Sequence, residues 1–394
     1  MPAALTEPLA ILYDHVADVG GAERYWETVV PALTDAGVDV RLFGRIVDEK
    51  HRFGVPATEI RWSDEDHDPS PEAARAVADA VRATGASTVA SASIFDAEVL
   101  RAIRAVAKRW VARLHDHRAF CPTGDRIFPQ FPAICTHPMG NACRVNAVLR
   151  GCVHGPRPSS EHALARRKAV RDALATADVI TVASEMMRRS AIMNGIDPAR
   201  IVVISPALRR EAYRAVPAPR PARDALLFAG RLVPNKGLRP LIAALARIPA
   251  ARRPLLVVAG RGEQEERDAR TDAQRLDVAV DWRGWLNVAQ LREAIDETTA
   301  VTMPSTWPEP FGLTGVEGQA RGRPAVAFDV GGISDWLGDA GVLVPRNDTA
   351  ALARAIEQVF DPANWAQYAE AAHQRSELWR LETHVSRMLD IFRG

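Results

Sequence analysis

The pattern that most restricts the fold is a strand–helix alternation that runs along the chain, breaks once, and starts again. Short apolar runs that read as strands, punctuated by Gly, Asp or Pro, take turns with longer segments of helical period. The first half runs LAILYDHV, AERYWETVVPALTDAG, VDVRLFG, PEAARAVADAVRATG, STVASAS, AEVLRAIRAVAKR and WVARLHD, then resumes at DVITVAS and RIVVISP after an irregular stretch. Such alternation builds parallel, doubly wound sheets. Between Pro206 and Asp224 prolines and charges replace the period, as in a linker. The rhythm then restarts with ALLFAGRL, a helix predicted from Gly237 to Arg247, PLLVVAGRG, a polar helix near Glu263 to Leu276, VAVDWRGW, AVTMPS, PAVAFDV and GVLVP. The expected architecture is therefore α/β, with domains over 1–206 and 207–377 facing each other across a cleft. Leu378, Leu381, Val385, Met388 and Ile391 recur at helical spacing, and a helix over 378–394 is expected to pack back on the first domain.

Length agrees with two domains, since 394 residues exceed what one core usually spans. Fifty Lys and Arg against 49 Asp and Glu leave a formal charge of +1, which gives no whole-chain attraction to nucleic acid or an anionic membrane. Any anion site has to be local. No apolar run approaches the roughly 20 residues that cross a bilayer, and MPAALTEPLA lacks a basic region followed by an apolar one, so a cytoplasmic location is expected.

The sharpest local signal is PSTWPEPFGLTGVEGQA, Pro304 to Ala320, which follows the strand-like AVTM. Glu309 lies between Pro308 and Pro310, and a residue before proline is pushed out of the α region, so Glu309 is expected in an extended loop with its carboxylate open to a ligand. Phe311, Gly312, Leu313 and Thr314 read as a turn whose free N–H groups suit a phosphate or sugar hydroxyls. Glu317 is expected in the first helical turn, where a carboxylate accepts bonds from two neighbouring hydroxyls. A Thr314-x-x-Glu317 capping box would account for the same residues with no ligand.

The second signal is FAGRLVPNKGL, Phe228 to Leu238, where a strand ends in Gly230 and delivers Arg231 and Lys236 into one loop. Strand carboxyl ends are where open α/β sheets bind ligands, and two cations there suit a diphosphate. Gly260 ends the strand of VVAGRG, and Arg283 and Gly284 lie in DWRGWL. In the first half Gly20 and Gly21 precede a helix that carries Glu23, a place for close approach of a phosphate or acceptor. His115 ends the strand of WVARLHD, where it can bond a sugar hydroxyl, and His117 competes for that role.

Glu309 and Glu317 with Pro-Phe-Gly-Leu between them resemble the Glu-x7-Glu signature of family 4 retaining glycosyltransferases, and Gly230-Arg231 with Lys236-Gly237 is similar to that family's diphosphate loop. The resemblance extends in order over almost the whole chain, strongest from Phe228 to Trp336. VGGISDW departs from the family's Gly-Gly-x-x-Glu turn by carrying Asp335. It implies a GT-B fold of two Rossmann-like domains and a metal-independent, retaining transfer from a nucleotide-diphosphate sugar, UDP rather than GDP. It gives catalytic roles to His115, Arg231, Lys236 and Glu309 and a ribose contact to Glu317. Donor binding falls to Gly230, Gly260, Arg283, Gly284, Phe311, Gly312, Leu313 and Thr314, and the acceptor side to Gly20, Gly21 and Glu23. Two other classes share the architecture: a nucleotide-sugar epimerase, which needs no acceptor, and a non-catalytic sugar-nucleotide-binding protein.

The resemblance is loosest from Phe120 to Ser160, which holds all four cysteines, Cys121, Cys135, Cys143 and Cys152. Three arrangements are open to them: a structural zinc, with His137 and His154 as substitute ligands, a disulfide-stapled insertion, or unlinked thiols. The insertion is expected to shape acceptor choice. The acceptor itself is a glycan, a lipid or a small molecule, with the basic segment Arg144 to Arg171 leaving peripheral membrane contact open.

Overall fold

A computed structural model describes residues 5–17, 20–64, 66–128, 133–152 and 157–394, with 157–160 as backbone alone. The chain divides into two compact units, Met1–Ala207 with Leu381–Gly394, and Leu208–Arg380. Both are sheets of parallel strands flanked by helices, the two-domain α/β class that the alternation predicts.

In the first unit the strands are β1 Leu9–Val16, β2 Val40–Val47, β3 Ala57–Glu59, β4 Thr88–Ala92, β5 Arg109–Leu114, β6 Val179–Val182 and β7 Ile201–Val203. Their order is β3-β2-β1-β4-β5-β6-β7. Successive β1 side chains point to opposite faces. Leu9, Ile11 and Tyr13 enter a core with Tyr25, Trp26 and Val29 of the helix Gly21–Asp35, while Ala10 and Leu12 enter a second core with Val77, Leu100 and Ile103. Burial on both faces explains why these strands read as continuous apolar runs, and each fully buried aliphatic side chain contributes about 1.5–3 kcal/mol.

The terminal helix is Leu381–Arg393, and its Val385, Met388, Leu389 and Phe392 join the first of those cores. Arg109 Nε ties its end down by donating to the carbonyl of Ile391 at 2.7 Å. The helix starts later than the periodicity predicts. Ser376–Trp379 is a 3-10 turn, Arg380 turns to an extended conformation, and Leu378 is 61% exposed.

In the second unit the strands are β8 Ala225–Ala229, β9 Leu255–Ala259, β10 Val280–Gly284, β11 Ala300–Met303, β12 Ala325–Phe328 and β13 Gly341–Val344, ordered β10-β9-β8-β11-β12-β13. The chain winds outward from β8 in one direction and from β11 in the other, so the crossovers diverge between these neighbours. Open α/β sheets bind ligands at that kind of switch point, outside the strand carboxyl ends.

The stretch that reads as a linker is in part firmly held. Ala218 is buried, its N–H donates to the Arg321 carbonyl at 3.0 Å, and its own carbonyl accepts from Arg323 Nη1 at 3.0 Å. Arg323 is itself buried and also donates to the carbonyls of Ile295 and Asp296; burial pushes its pKa down to about 10. Hydrogen bonds to backbone oxygens, which no side-chain period records, fasten this segment to the second unit.

Candidate functional site

Three loops meet at the carboxyl ends of β8, β9 and β11, and glycines let them touch. A Cβ on Gly237 would lie 1.8 Å from the Pro304 carbonyl oxygen, one on Gly260 2.0 Å from that of Gly230, and one on Gly262 1.9 Å from that of Leu232. Gly237 also has φ +79°, a left-handed conformation that a side chain disfavours. Its place outside the helix, which runs from Leu238 to Leu245, keeps Lys236 in the loop.

That loop delivers Lys236 to Glu309. Lys236 Nζ lies 2.6 Å from Glu309 Oε2, and the same oxygen accepts from Trp307 Nε1 at 2.9 Å and Ser305 Oγ at 3.0 Å. Burial raises the Glu309 carboxyl, but the charge of Lys236 and these donors prevail and hold it below its ordinary value. Glu309 is 7% exposed, so the expectation of an open carboxylate is corrected: the loop between two prolines is extended, and its side chain turns inward to fix the lysine. Arg231 is exposed, and its guanidinium makes no hydrogen bond or ion pair among the described residues, although its carbonyl accepts from Val233 N–H at 3.2 Å. The loop after β8 therefore presents one anchored and one unanchored cation.

The helix after Glu309 is Leu313–Gln319, capped by Gly312 at φ +107° with no side-chain cap. Thr314 lies inside it and donates instead to the Ala229 carbonyl at the end of β8, at 3.2 Å, so a Thr314–Glu317 capping box is not formed. Glu317 is the fifth helical residue, one turn later than expected, and is half-buried. Phe311 is buried and its carbonyl accepts from Trp336 Nε1 at 2.7 Å. Gly331 and Gly332 close the far side: Gly332 N–H donates to the Glu309 carbonyl at 2.7 Å, and a Cβ on Gly331 would lie 2.1 Å from that oxygen. Arg283 donates to Asp281 at 2.8 Å and Glu297 at 2.5 Å, and Gly284 is exposed with φ +65°, its carbonyl accepting from Gly260 N–H at 2.7 Å.

In the first unit Gly20 caps the helix Gly21–Asp35, and Glu23 Oε1 accepts from Tyr13 O–H at 2.8 Å. Gly20 is extended at φ −165°, so no left-handed backbone demands glycine there. His115 follows β5 and keeps part of its surface open in a small cavity it shares with Ser91, Ser93, Arg113 and Asp116, while His117 is 0% exposed, which separates the two histidines. Sequence reasoning missed the aromatic box around His115, with ring centroids of Tyr25 at 5.4 Å and Tyr13 at 6.1 Å, and the bond from Trp26 Nε1 to His115 Nε2 at 3.0 Å. Burial, Arg113 and Arg118 hold the His115 pKa well below the ordinary value, so its imidazole is neutral near pH 7.

The four cysteines are free thiols, each half-buried. Burial raises the Cys152 thiol to about 11, and Cys135, Cys121 and Cys143 add to the rise, so the fold draws them into one neighbourhood. Among the described residues no group of three or more His, Cys, Asp or Glu stands in an arrangement able to hold a metal ion. The zinc and disulfide arrangements are thus absent from the described residues, and His154 lies outside them. Cys143 lies in the first turn of the helix Asn141–Arg150, and Cys152 follows its cap, Gly151. Also among the described residues, no helix is long and apolar enough to cross a membrane.

Residues 19–211 match the family described as Glycosyltransferase Family 4, and residues 223–361 match Glycosyl transferases group 1. The chain is 35% identical over 193 residues to glycogen synthase of Mycobacterium tuberculosis, a match covering 47% of this chain and 43% of that protein, less than half its length. It is 26% identical to D-inositol 3-phosphate glycosyltransferase of Acidothermus cellulolyticus over 100% of this chain and 89% of that one. Among solved structures, Anabaena HepE in complex with UDP-glucose superposes with a TM-score of 0.72 at 16% identity, covering 97% of this chain and 98% of that one, which is a likeness of fold.

Proposed function

Since the chain belongs to the family 4, group 1 glycosyltransferases, a GT-B family, we propose that it moves a sugar from a nucleotide-diphosphate donor to an acceptor hydroxyl with retention of anomeric configuration. The observation that carries this reading is the cation pair at the sheet's switch point: Arg231, which is exposed, and Lys236, which is half-buried and held by Glu309 at 2.6 Å. A guanidinium grips two oxygens of a diphosphate while an ammonium acts as a point charge. Fixed in place before the donor arrives, Lys236 needs no reorientation as negative charge grows on the leaving diphosphate, the condition under which electrostatic stabilisation is most effective.

The roles then divide. Glu309 positions Lys236, Glu317 takes the ribose hydroxyls, and the Phe311–Thr314 segment carries the sugar. The backbone at Gly230, Gly260 and Gly284 admits the nucleotide, and His115 offers an N–H to a sugar hydroxyl. Gly20, Gly21 and Glu23 belong to the acceptor side. These two cations supply the charge that a divalent metal would otherwise bring, so transfer proceeds without one. UDP is the favoured nucleotide because HepE, a neighbour in fold, is known in complex with UDP-glucose. The acceptor hydroxyls to try first are those of glycogen and D-inositol 3-phosphate, after the relatives.

A thermal-shift panel of UDP- and GDP-sugars in chelator tests the donor, since a ligand at 100 times its dissociation constant adds about 2.7 kcal/mol of stability. Free nucleoside diphosphate should then accumulate only when acceptor is added. Sugar isomerisation without acceptor would identify an epimerase instead, and binding without turnover a sensor.

A further inference from the structure

The imidazole of His115 has one hydrogen-bond partner among the described residues, and that partner decides its chemistry. Trp26 lies on the helix Gly21–Asp35, is 1% exposed, and aims its indole nitrogen at His115 Nε2 across 3.0 Å. An indole N–H only donates. Nε2 must therefore accept, which a nitrogen carrying a proton cannot do, so the proton of a neutral imidazole resides on Nδ1. Nδ1 has no hydrogen-bond partner among the described residues and keeps part of its surface open. His115 lines a small cavity together with Ser91 and Asp116, so Nδ1 is the ring nitrogen left to meet a ligand there.

We propose that Trp26 is a positioning residue that locks His115 in the Nδ1–H form, so that the histidine meets the donor sugar only as a single-proton donor, aimed outward, and never as an acceptor. This rests on the glycosyltransferase reading for the identity of the hydroxyl, whereas the tautomer lock stands on the first unit alone.

The surroundings maintain that state. Burial opposes a second proton on the ring most strongly, and Arg113, on β5, and Arg118 add to it. The neighbouring Tyr13 and Tyr25 are themselves held protonated, Tyr13 by burial and by Glu23, Tyr25 by burial, so they contribute no negative charge. Asp116, adjacent in sequence, is engaged by Arg118 at 2.8 Å. Tyr25 is further fixed by a 3.0 Å bond with His384 Nε2, whose Nδ1 lies 2.9 Å from the Ser205 carbonyl. That carbonyl fixes the His384 proton on Nδ1, and Tyr25 O–H is then the donor. Two histidines of one core thus carry the same tautomer, each set by an aromatic donor at Nε2. A hydroxyl that meets His115 must accept, which orients its own proton away from the ring and discriminates against a sugar lacking an oxygen there.

Nitrogen-15 histidine spectra of the intact chain report the tautomer directly. The His115 ring should be neutral with its proton on Nδ1 from pH 6 to 8. An Nε2–H tautomer, or a cation in that range, overturns the proposal. Trp26→Phe, which keeps an aromatic ring and loses the donor, should let the ring populate both tautomers and raise its pKa. Turnover should fall about 3- to 10-fold, the worth of one neutral hydrogen bond, with its acid limb moved to higher pH and UDP affinity unchanged. Unaltered tautomer populations in a folded Trp26→Phe protein would also overturn it. If Trp26→Phe fails to fold, the wild-type spectra still decide. Failure of the chain to bind any sugar nucleotide would refute the glycosyltransferase reading while leaving those spectra untouched.

Discussion

Lys236 Nζ stands 2.6 Å from Glu309 Oε2, joining residues 73 positions apart whose side chains are only 17% and 9% exposed. A pair this enclosed behaves as one unit: each partner lowers the cost of burying the other, and removing one strands a charge. The lysine of the diphosphate loop is in consequence a structural residue as well as a ligand.

Lys236→Ala is expected to lower stability by about 3 kcal/mol, the scale for breaking a buried pair, and to weaken UDP binding in parallel. In the wild type the folded Glu309 pKa lies below its unfolded value, so its stabilisation is complete above pH 4.5 and fades as pH falls through the folded value. Without Lys236, burial lifts that carboxyl, and the mutant should regain stability on acidification. The double variant Lys236→Met, Glu309→Gln should recover the melting temperature but not UDP affinity. Melting curves against pH and calorimetric titration check both parts; an undiminished melting temperature for Lys236→Ala would contradict the structural role.

Glu317→Gln isolates the ribose contact. Because Gly312 caps the helix and Thr314 bonds Ala229, no capping box is lost, and the melting temperature should stay within about 1 °C of wild type. Replacing a charged acceptor by a neutral one should weaken UDP binding by about 5- to 30-fold. A variant that melts normally and binds UDP normally would remove Glu317 from the nucleotide site.

Acid stability reports the buried histidine of the terminal helix. Burial first, then Arg113, hold His384 at a pKa of about 3, against roughly 6.5 for an unfolded histidine. Between those values the unfolded chain binds the extra proton, so stability falls with falling pH, by about 2 kcal/mol at pH 5 from this residue. His115 acts in the same direction. Denaturant midpoints from pH 8 to 5 should show the decline, and His384→Gln should flatten it; an identical slope in the variant would count against a neutral buried His384.

The cysteines should titrate as four thiols per denatured chain without reductant, with Cys152 the slowest to alkylate in the native state, since its pKa of about 11 leaves little thiolate at neutral pH. Mass spectrometry of labelled peptides gives the order, and metal analysis accompanies it. One zinc per chain together with protected thiols would contradict the free-thiol arrangement.

The sheets were legible because LLFA, LLVVA and AVTM are buried on both faces and advertise it in composition. The linker from Pro206 was only half legible, since Ala218 is held by backbone bonds to Arg321 and Arg323 that no periodicity encodes. In the site, Gly237, Lys236 and Glu309 announce a loop, a cation and an extended turn, but not that the cation and the acid meet. That contact depends on β8 and β11 being neighbours, a matter of topology. Trp26 and His115 lay beyond reach for the same reason: 89 residues separate them, and a tryptophan on a helix face reads as plain core.

Calorimetric titration of UDP in excess EDTA into wild type and Arg231→Ala decides whether the loop after β8 grips the nucleotide diphosphate without a metal. The Arg231 side chain is exposed and has no partner among the described residues, so its removal should leave the melting temperature unchanged. The account predicts that wild type binds UDP in chelator and that Arg231→Ala loses about 10- to 150-fold in affinity, the worth of a charge-assisted contact. Equal affinity in the two proteins, or binding by wild type only when magnesium or manganese is restored, would contradict it.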